Sequence, residues 1–157
     1  DHLSWVADTL KRKPFLWDNY PVNDGKKASN FLYLRPFENR PAQLRHYLAG
    51  HAVNPMKQPL LSRLPLASLP LSYQLADDYH PDALWMQIAG TELGVELARQ
   101  LTIDLPAFCQ LGLEQLGESG KQQLRQRYQP YRSHPAVIEL LDWLDGRYQF
   151  DPACLTD

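Results

Sequence analysis

The chain has 157 residues and a mass of 18.1 kDa, which is long enough for a domain with a buried core. Sixteen basic residues against eighteen acidic ones give a formal net charge of −2, so the chain lacks the basic excess of a nucleic-acid-binding protein. No apolar run approaches the ~20 residues that a membrane-spanning helix needs. We therefore expect neither nucleic acid nor a membrane as a partner.

The first third of the chain alternates between helical and extended patterns. Apolar residues at helical spacing from Leu3 to Leu10 predict a first helix. The run Phe15–Trp17 predicts a short, buried parallel strand, and a polar loop follows it. Pro41 begins a short helix with Gly50 as its expected C-terminal cap, and His51–Val53 predicts a second strand. This order is typical of β/α units.

After Met56 the pattern becomes helical. A long apolar segment runs from Leu60 to Ala76, and Pro65 and Pro70 are expected to kink it. Further helices are predicted to start at Pro81 (with one face extending to Val95), at Pro106, at a Ser119 cap, and at a Ser133 cap with Pro135 just inside. The fold class is therefore mostly α, with a bundle of four or five helices in the second part.

The densest group of polar side chains follows the first predicted strand. It contains Trp17, Asp18, Asn19, Tyr20, Asn23 and Asp24, and Asn54 occupies the corresponding place after the second strand. In β/α barrels ligands bind where strands end in loops. An indole face can cover a sugar ring while amides and carboxylates bind its hydroxyls. The alternative is that Asp18 and Asn19 simply form a turn and that Trp17 belongs to the core.

Other candidate sites are weaker. Asp77 and Asp78 form an adjacent acid pair, but their place between two helices favours a solvated turn. The five histidines show no helical pairing, and no phosphate loop is present, so we expect no metal and no cofactor. The two isolated cysteines, Cys109 and Cys154, are more simply interpreted as reduced thiols than as a disulfide. No compartment is indicated beyond a slight preference for the cytoplasm.

The segment Leu16–Gly25, with the sequence LWDNYPVNDG, closely resembles the retaining β-N-acetylglucosaminidases that include protein O-GlcNAcase and the bacterial enzymes often labelled hyaluronidases. Further segments match in order and spacing. They are Phe31–Pro36 (similar to "LFLGP", with Arg35 replacing glycine), Asn39–Arg40 (similar to "GR"), Ala49–Gly50 with Val53–Met56 (similar to "G…NPM"), and Tyr79–Pro81 with Trp85 (similar to "YDP…W"). The two prolines in the long helix depart from the family, in which that helix is uninterrupted.

This resemblance implies an eight-stranded TIM-type barrel followed by a helical domain. Residues 1–56 would be the end of the barrel, with Phe15–Trp17 as the seventh strand and His51–Asn54 as the eighth, and residues 57–157 would be the helical bundle. By the same resemblance, Trp17 would form a wall of the sugar pocket and Asn19 would bond near the N-acetyl group. Asp24 and Asn54 would bind sugar hydroxyls.

The family's catalytic groups are two adjacent aspartates on an earlier barrel strand, and no residue of this chain matches them. Asp77–Asp78 lies downstream of Met56, on the wrong side of the barrel's end. We therefore expect no catalytic residue in this chain and no activity of the chain alone. Its expected partners are the missing N-terminal part of the barrel and a glycan or glycoprotein that contains N-acetylglucosamine. Open strand edges predict self-association. The alternative is a non-catalytic helical interaction or carbohydrate-binding module that has kept the motif.

Overall fold

The structure is a computed structural model that describes residues 2–152. Helix α1 (His2–Leu10) leads into strand β1 (Phe15–Asp18), and a long connection leads to strand β2 (Gly50–Val53). The two strands pair in parallel, with Phe15 opposite Gly50 and Asp18 opposite Val53. Five helices follow: α2 (Pro59–Leu75), α3 (Pro81–Leu93), α4 (Val95–Pro106), α5 (Gly112–Tyr128) and α6 (Pro135–Leu144). Within these residues no helix is long and apolar enough to cross a bilayer.

Both predicted strands are present, but two details of their prediction are wrong. The side chains of Phe15 and Trp17 are 61% and 62% exposed rather than buried, because no further described strand or helix covers that part of the sheet. Gly50 begins β2 instead of capping a helix. The Phe15 ring lies directly over Gly50, where a Cβ atom would stand 2.5 Å from the ring. The short helix before it is a 3₁₀ turn, Ala42–His46.

The connection between the strands packs into the helical bundle. The Leu32 amide donates to the carbonyl of Phe108 in the turn between α4 and α5 (3.1 Å), and the Phe37 amide donates to Ser68 Oγ of α2 (2.8 Å). Leu32 and Leu34 are fully buried and belong to the same apolar cluster as the helices. One core therefore contains residues from both sides of Met56.

Helix α2 is continuous through Pro65 and Pro70, so neither proline ends the helix. Its N-terminus has no side-chain cap from its own segment. Instead the buried Glu139 carboxylate of α6 accepts the Leu60 amide (3.0 Å to each oxygen) and the Leu61 amide (2.9 Å). An acidic group at this position satisfies amides that lack helical partners. This contact fixes the start of α2, directly after the segment that contains Asn54.

Several predicted helix starts are displaced. Gly94, at φ +84°, ends α3 before Val95, which is half exposed. Pro106 is the last residue of α4, and a π-helical turn, Ala107–Leu111, follows it. Ser119 lies inside α5, two residues after a kink at Gly117. Gly94 and Gly117 have positive φ values, which permit the changes of direction at the end of α3 and inside α5 that apolar spacing does not reveal.

The N-terminus of α6 begins with Pro135, as the sequence predicted, but its cap is His134 rather than Ser133. His134 Nδ1 accepts the Ala136 amide at 3.2 Å. The bundle as a whole confirms the mostly helical fold class. Cys109 has a free thiol that donates to the Leu32 carbonyl, and Cys154 lies outside the described residues.

Candidate active site at the strand ends

The carboxyl ends of β1 and β2 meet at one edge of the sheet. The Asn54 amide donates to the Asp18 carbonyl at 2.9 Å, which extends the ladder one residue beyond β2. Trp17 and Asn19 are exposed, whereas Asp18 between them is buried. This pattern follows from the alternation of side chains along an extended segment. Three of the four predicted site residues, Trp17, Asn19 and Asn54, therefore lie on or next to adjacent strand ends.

Trp17 and Asn19 are paired with each other. Trp17 Nε1 donates to Asn19 Oδ1 at 3.1 Å, and because an indole N–H only donates, the bond fixes which end of the Asn19 amide faces the ring. Among residues 2–152, Asn19 Nδ2 has no acceptor, so this donor is available to a ligand. The alternative that Trp17 belongs to the apolar core is wrong, since the residue is 62% exposed. The turn alternative is correct for Asp18, whose Oδ1 accepts the Tyr20 amide at 3.0 Å.

Behind this exposed pair, Asp18 is the centre of a buried polar network. Arg40 Nε donates to Asp18 Oδ2 at 2.5 Å, and Arg40 Nη2 donates to Oδ1 at 3.0 Å. His51 Nε2 lies 3.1 Å from the same Oδ2, and His51 Nδ1 lies 2.7 Å from the Tyr73 hydroxyl. A carboxylate only accepts, so Nε2 donates to Asp18, and in the neutral imidazole Nδ1 then accepts from the Tyr73 hydroxyl. The network joins both strands, the connection and α2.

These contacts change the acidity of Asp18. Burial by itself raises the pKa of this carboxyl, but the hydrogen bonds from Arg40 and the Tyr20 amide, with the positive charge of Arg40, outweigh it and lower the pKa below its ordinary value. The same pairing raises the pKa of Arg40. Burial raises the pKa of Tyr73. Asp18 is thus a fixed anion whose role is to hold the strand end, not to exchange protons near neutral pH.

The remaining predicted site residue, Asp24, is exposed in the loop after β1. Its neighbour Asn23 is buried and bonds to the segment that follows Asn54. Asp77 and Asp78 lie in an exposed 3₁₀ turn, Ala76–Asp78, which confirms the solvated-turn interpretation. Within residues 2–152 no cluster of three or more His, Cys, Asp or Glu side chains could hold a metal ion.

A cavity of about 270 Å³ lies beside the Asp18 network, lined by Tyr20, Tyr33, Arg35, Pro36, Glu38, Arg40 and Cys109. None of the four predicted sugar-site residues lines it. Its two guanidinium groups are already paired, Arg40 with Asp18 and Arg35 with Asp82. Burial raises the pKa of the Cys109 thiol, which disfavours a nucleophilic thiolate. Among the charged side chains that line this cavity, the exposed Glu38 carboxylate is therefore the one that no ion pair within residues 2–152 engages.

Sequence reasoning missed Arg40, His51 and Tyr73 as members of the Asp18 network. Arg40 belongs to the matched pair Asn39–Arg40, and the structure supplies a reason for that motif. Asn39 has φ +58°, a conformation that glycine and asparagine adopt more readily than other residues, and it precedes the side chain that binds Asp18. The other two members of the network, His51 and Tyr73, lie 33 and 55 positions after Asp18 and left no signal in the local pattern.

Two comparisons with known proteins match this chain. A family model described as NAGidase, beta-N-acetylglucosaminidase, matches residues 1–103. A solved structure of a mutant O-GlcNAc hydrolase from Thermobaculum terrenum matches with a TM-score of 0.67 and 25% sequence identity. That match covers 94% of this chain and 38% of the other chain, so the sequence spans well under half the length of that structure.

Proposed function

We propose a function for this chain, which belongs to the β-N-acetylglucosaminidase family. It is the C-terminal part of a glycoside hydrolase, and that hydrolase removes terminal β-linked N-acetylglucosamine. The observation that carries this proposal is the meeting of Trp17, Asn19 and Asn54 at the ends of two parallel strands. Such an edge is where barrel enzymes bind their substrates. The substrate is a glycan or glycoprotein that contains N-acetylglucosamine.

The proposal assigns β1 and β2 to the last two strands of a TIM-type barrel, with residues 1–56 as its end and residues 57–157 as a helical domain. The parallel pairing and the exposed rings of Phe15 and Trp17 support it, since parallel sheets are ordinarily covered on both faces. The missing N-terminal strands would cover the Phe15 ring, while the Trp17 ring, nearer the carboxyl end of β1, would stay open to the sugar. The shared core around Leu32 would then join barrel and bundle rigidly.

In the proposed site, Trp17 forms a wall against one face of the sugar ring. Asn19 offers its Nδ2 donor near the N-acetyl group, while its oxygen stays bonded to the indole. Asp24 and Asn54 bind sugar hydroxyls. These contacts orient the substrate and contribute to catalysis by holding the reacting atoms in place.

The proposed reaction is substrate-assisted and retains the anomeric configuration. The acetamido oxygen of the substrate attacks the anomeric carbon as the glycosidic bond breaks, and the resulting oxazoline is then opened by water. Two adjacent aspartates on an earlier strand orient the acetamide and transfer the proton to and from the leaving oxygen and the water. The solvated pair Asp77–Asp78 does not take this role.

A direct test compares the full-length protein that contains this chain with the 157-residue chain alone. Both are assayed with chromogenic β-N-acetylglucosaminide, with the α-anomer and a β-glucoside as controls. We expect the full-length protein to hydrolyse only the β-N-acetylglucosaminide and the short chain to hydrolyse none. Binding without turnover by the full-length protein would favour the non-catalytic module. Turnover by the short chain that Asp77→Asn abolishes would place catalysis at the acid pair.

A further inference from the structure

Asn23 makes three hydrogen bonds from a nearly fully buried position. Its Nδ2 donates to the Phe31 carbonyl (3.0 Å) and to Gln58 Oε1 (2.9 Å), and its Oδ1 accepts the Lys57 amide (2.9 Å). The first bond closes the loop after β1 on itself. The other two connect that loop to the segment after β2. One side chain therefore links the two loops that leave the candidate site.

The positions of these partners relate them to the proposed sugar ligands. Asn23 directly precedes Asp24, and Lys57 and Gln58 follow Asn54 by three and four residues. Asn54 is itself held to β1 through the Asp18 carbonyl. The loop that contains Asp24, by contrast, is connected to the segment after β2 by the hydrogen bonds of the Asn23 side chain to Lys57 and Gln58. The relative position of the two proposed hydroxyl-binding groups thus depends on this bridge.

Packing alone does not explain why a polar side chain, Gln58, occupies this buried position. Its side chain is 0% exposed, its Oε1 accepts from Asn23, and its Nε2 has no hydrogen-bond partner within the described chain. An unpartnered buried amide lowers stability relative to an apolar side chain of similar size. The site retains a polar group at some cost in stability, and the contact that it gains is the one with Asn23.

We propose that Asn23 and Gln58 are positioning residues that set the place of Asp24 relative to Asn54, and so the recognition of sugar hydroxyls. This inference rests on the proposed function. Neither side chain touches the sugar, since both are buried behind the loops. Loss of the bridge leaves Asp24 in the protein but lets its loop move, so that its contact with the substrate is no longer held in advance.

The test is a double-mutant cycle in the full-length protein, with Gln58→Met and Asp24→Ala made singly and together. Gln58→Met keeps the side-chain volume, removes the acceptor of Asn23 and also removes the unpartnered Nε2. The matched control is Ser72→Ala in α2, which removes a buried hydroxyl that donates to the Leu69 carbonyl within its own helix. The readouts are kcat/KM for a chromogenic β-N-acetylglucosaminide, Tm, and hydrogen exchange of residues 19–31.

We expect Gln58→Met to lower kcat/KM about fivefold or more, with Tm nearly unchanged and faster exchange in residues 19–31. Asp24→Ala should lower kcat/KM at least ~10-fold in the native and Ser72→Ala backgrounds, but less than ~3-fold with Gln58→Met, because residues coupled through one hydrogen-bond network are not additive. The positioning role would be overturned if Asp24→Ala lowered kcat/KM equally in all three backgrounds, or if Gln58→Met left hydrogen exchange of residues 19–31 unchanged. A native protein without turnover would instead refute the proposed function, and the positioning role with it.

Discussion

Replacing Asp18 by asparagine tests whether the buried network holds the strand end. An asparagine keeps one oxygen for the Tyr20 amide, but its NH₂ group then replaces Oδ2 and faces two donors, Arg40 Nε and His51 Nε2. At least one charged hydrogen bond is lost, and the Arg40 guanidinium, whose side chain is 26% exposed, loses its anion. The Asp18 side chain is only 8% exposed, so water cannot replace these bonds on its side.

The expected cost follows from these contacts. A hydrogen bond to a charged group contributes roughly 1.5–3 kcal/mol, and breaking a fully buried ion pair costs about 3–5 kcal/mol. Because Arg40 reaches water in part, we expect Asp18→Asn to lower the free energy of unfolding by about 2–3 kcal/mol. The matched control is Glu96→Gln, which makes the same chemical change in the Glu96–Arg99 pair on the surface of α4. That pair should contribute less than about 0.5 kcal/mol.

The pH dependence has a definite sign. The folded pKa of Asp18 lies below its ordinary value of 3.8, so the folded state favours the ionised carboxylate. Its contribution to stability is complete above about pH 5 and is lost as the pH falls below 3.8 through the folded pKa. The stability difference between the native protein and Asp18→Asn should therefore shrink in acid.

The assay is urea unfolding of the full-length protein, followed by tryptophan fluorescence at pH 7 and again near pH 3. A loss at pH 7 no greater than that of Glu96→Gln would refute the role assigned to the network. A difference between native protein and Asp18→Asn that stays constant in acid would show that the charge of Asp18 contributes nothing to folding.

Three further predictions concern the site, the bundle and the isolated chain. In the full-length protein, Asp24→Ala should lower kcat/KM at least ~10-fold without lowering Tm, because a charged hydrogen bond to substrate is lost; unchanged activity with a lower Tm would make Asp24 structural. Glu139→Gln should lower the free energy of unfolding by about 1–2 kcal/mol in urea, since it weakens the cap of α2; an unchanged midpoint would contradict that cap. In the 157-residue chain, residues 2–18 should exchange amide hydrogens faster than residues 135–144. Sedimentation of the same chain should show self-association through the open sheet edges. A monomer whose amides are uniformly protected from exchange would contradict the barrel assignment.

The local sequence was enough to predict several secondary-structure elements and the protein family. Proline positions and apolar spacing predicted α1, the two strands and the start of α6, because these signals act within a few residues. The polar segment Trp17–Asp24 predicted a site at a strand end, and its resemblance to β-N-acetylglucosaminidases agrees with the family match. These inferences needed no knowledge of distant contacts.

Tertiary structure decided which polar residues are exposed and which are fixed. Asp18 is bonded to Arg40 and His51, 22 and 33 positions away, and the cap of α2 comes from Glu139, 79 positions beyond Leu60. A run of polar letters does not distinguish a ligand from an anchor, because that difference depends on partners brought together only by folding. The same reason explains Asn23, which the sequence shows beside Asp24 and which only the fold connects to Gln58.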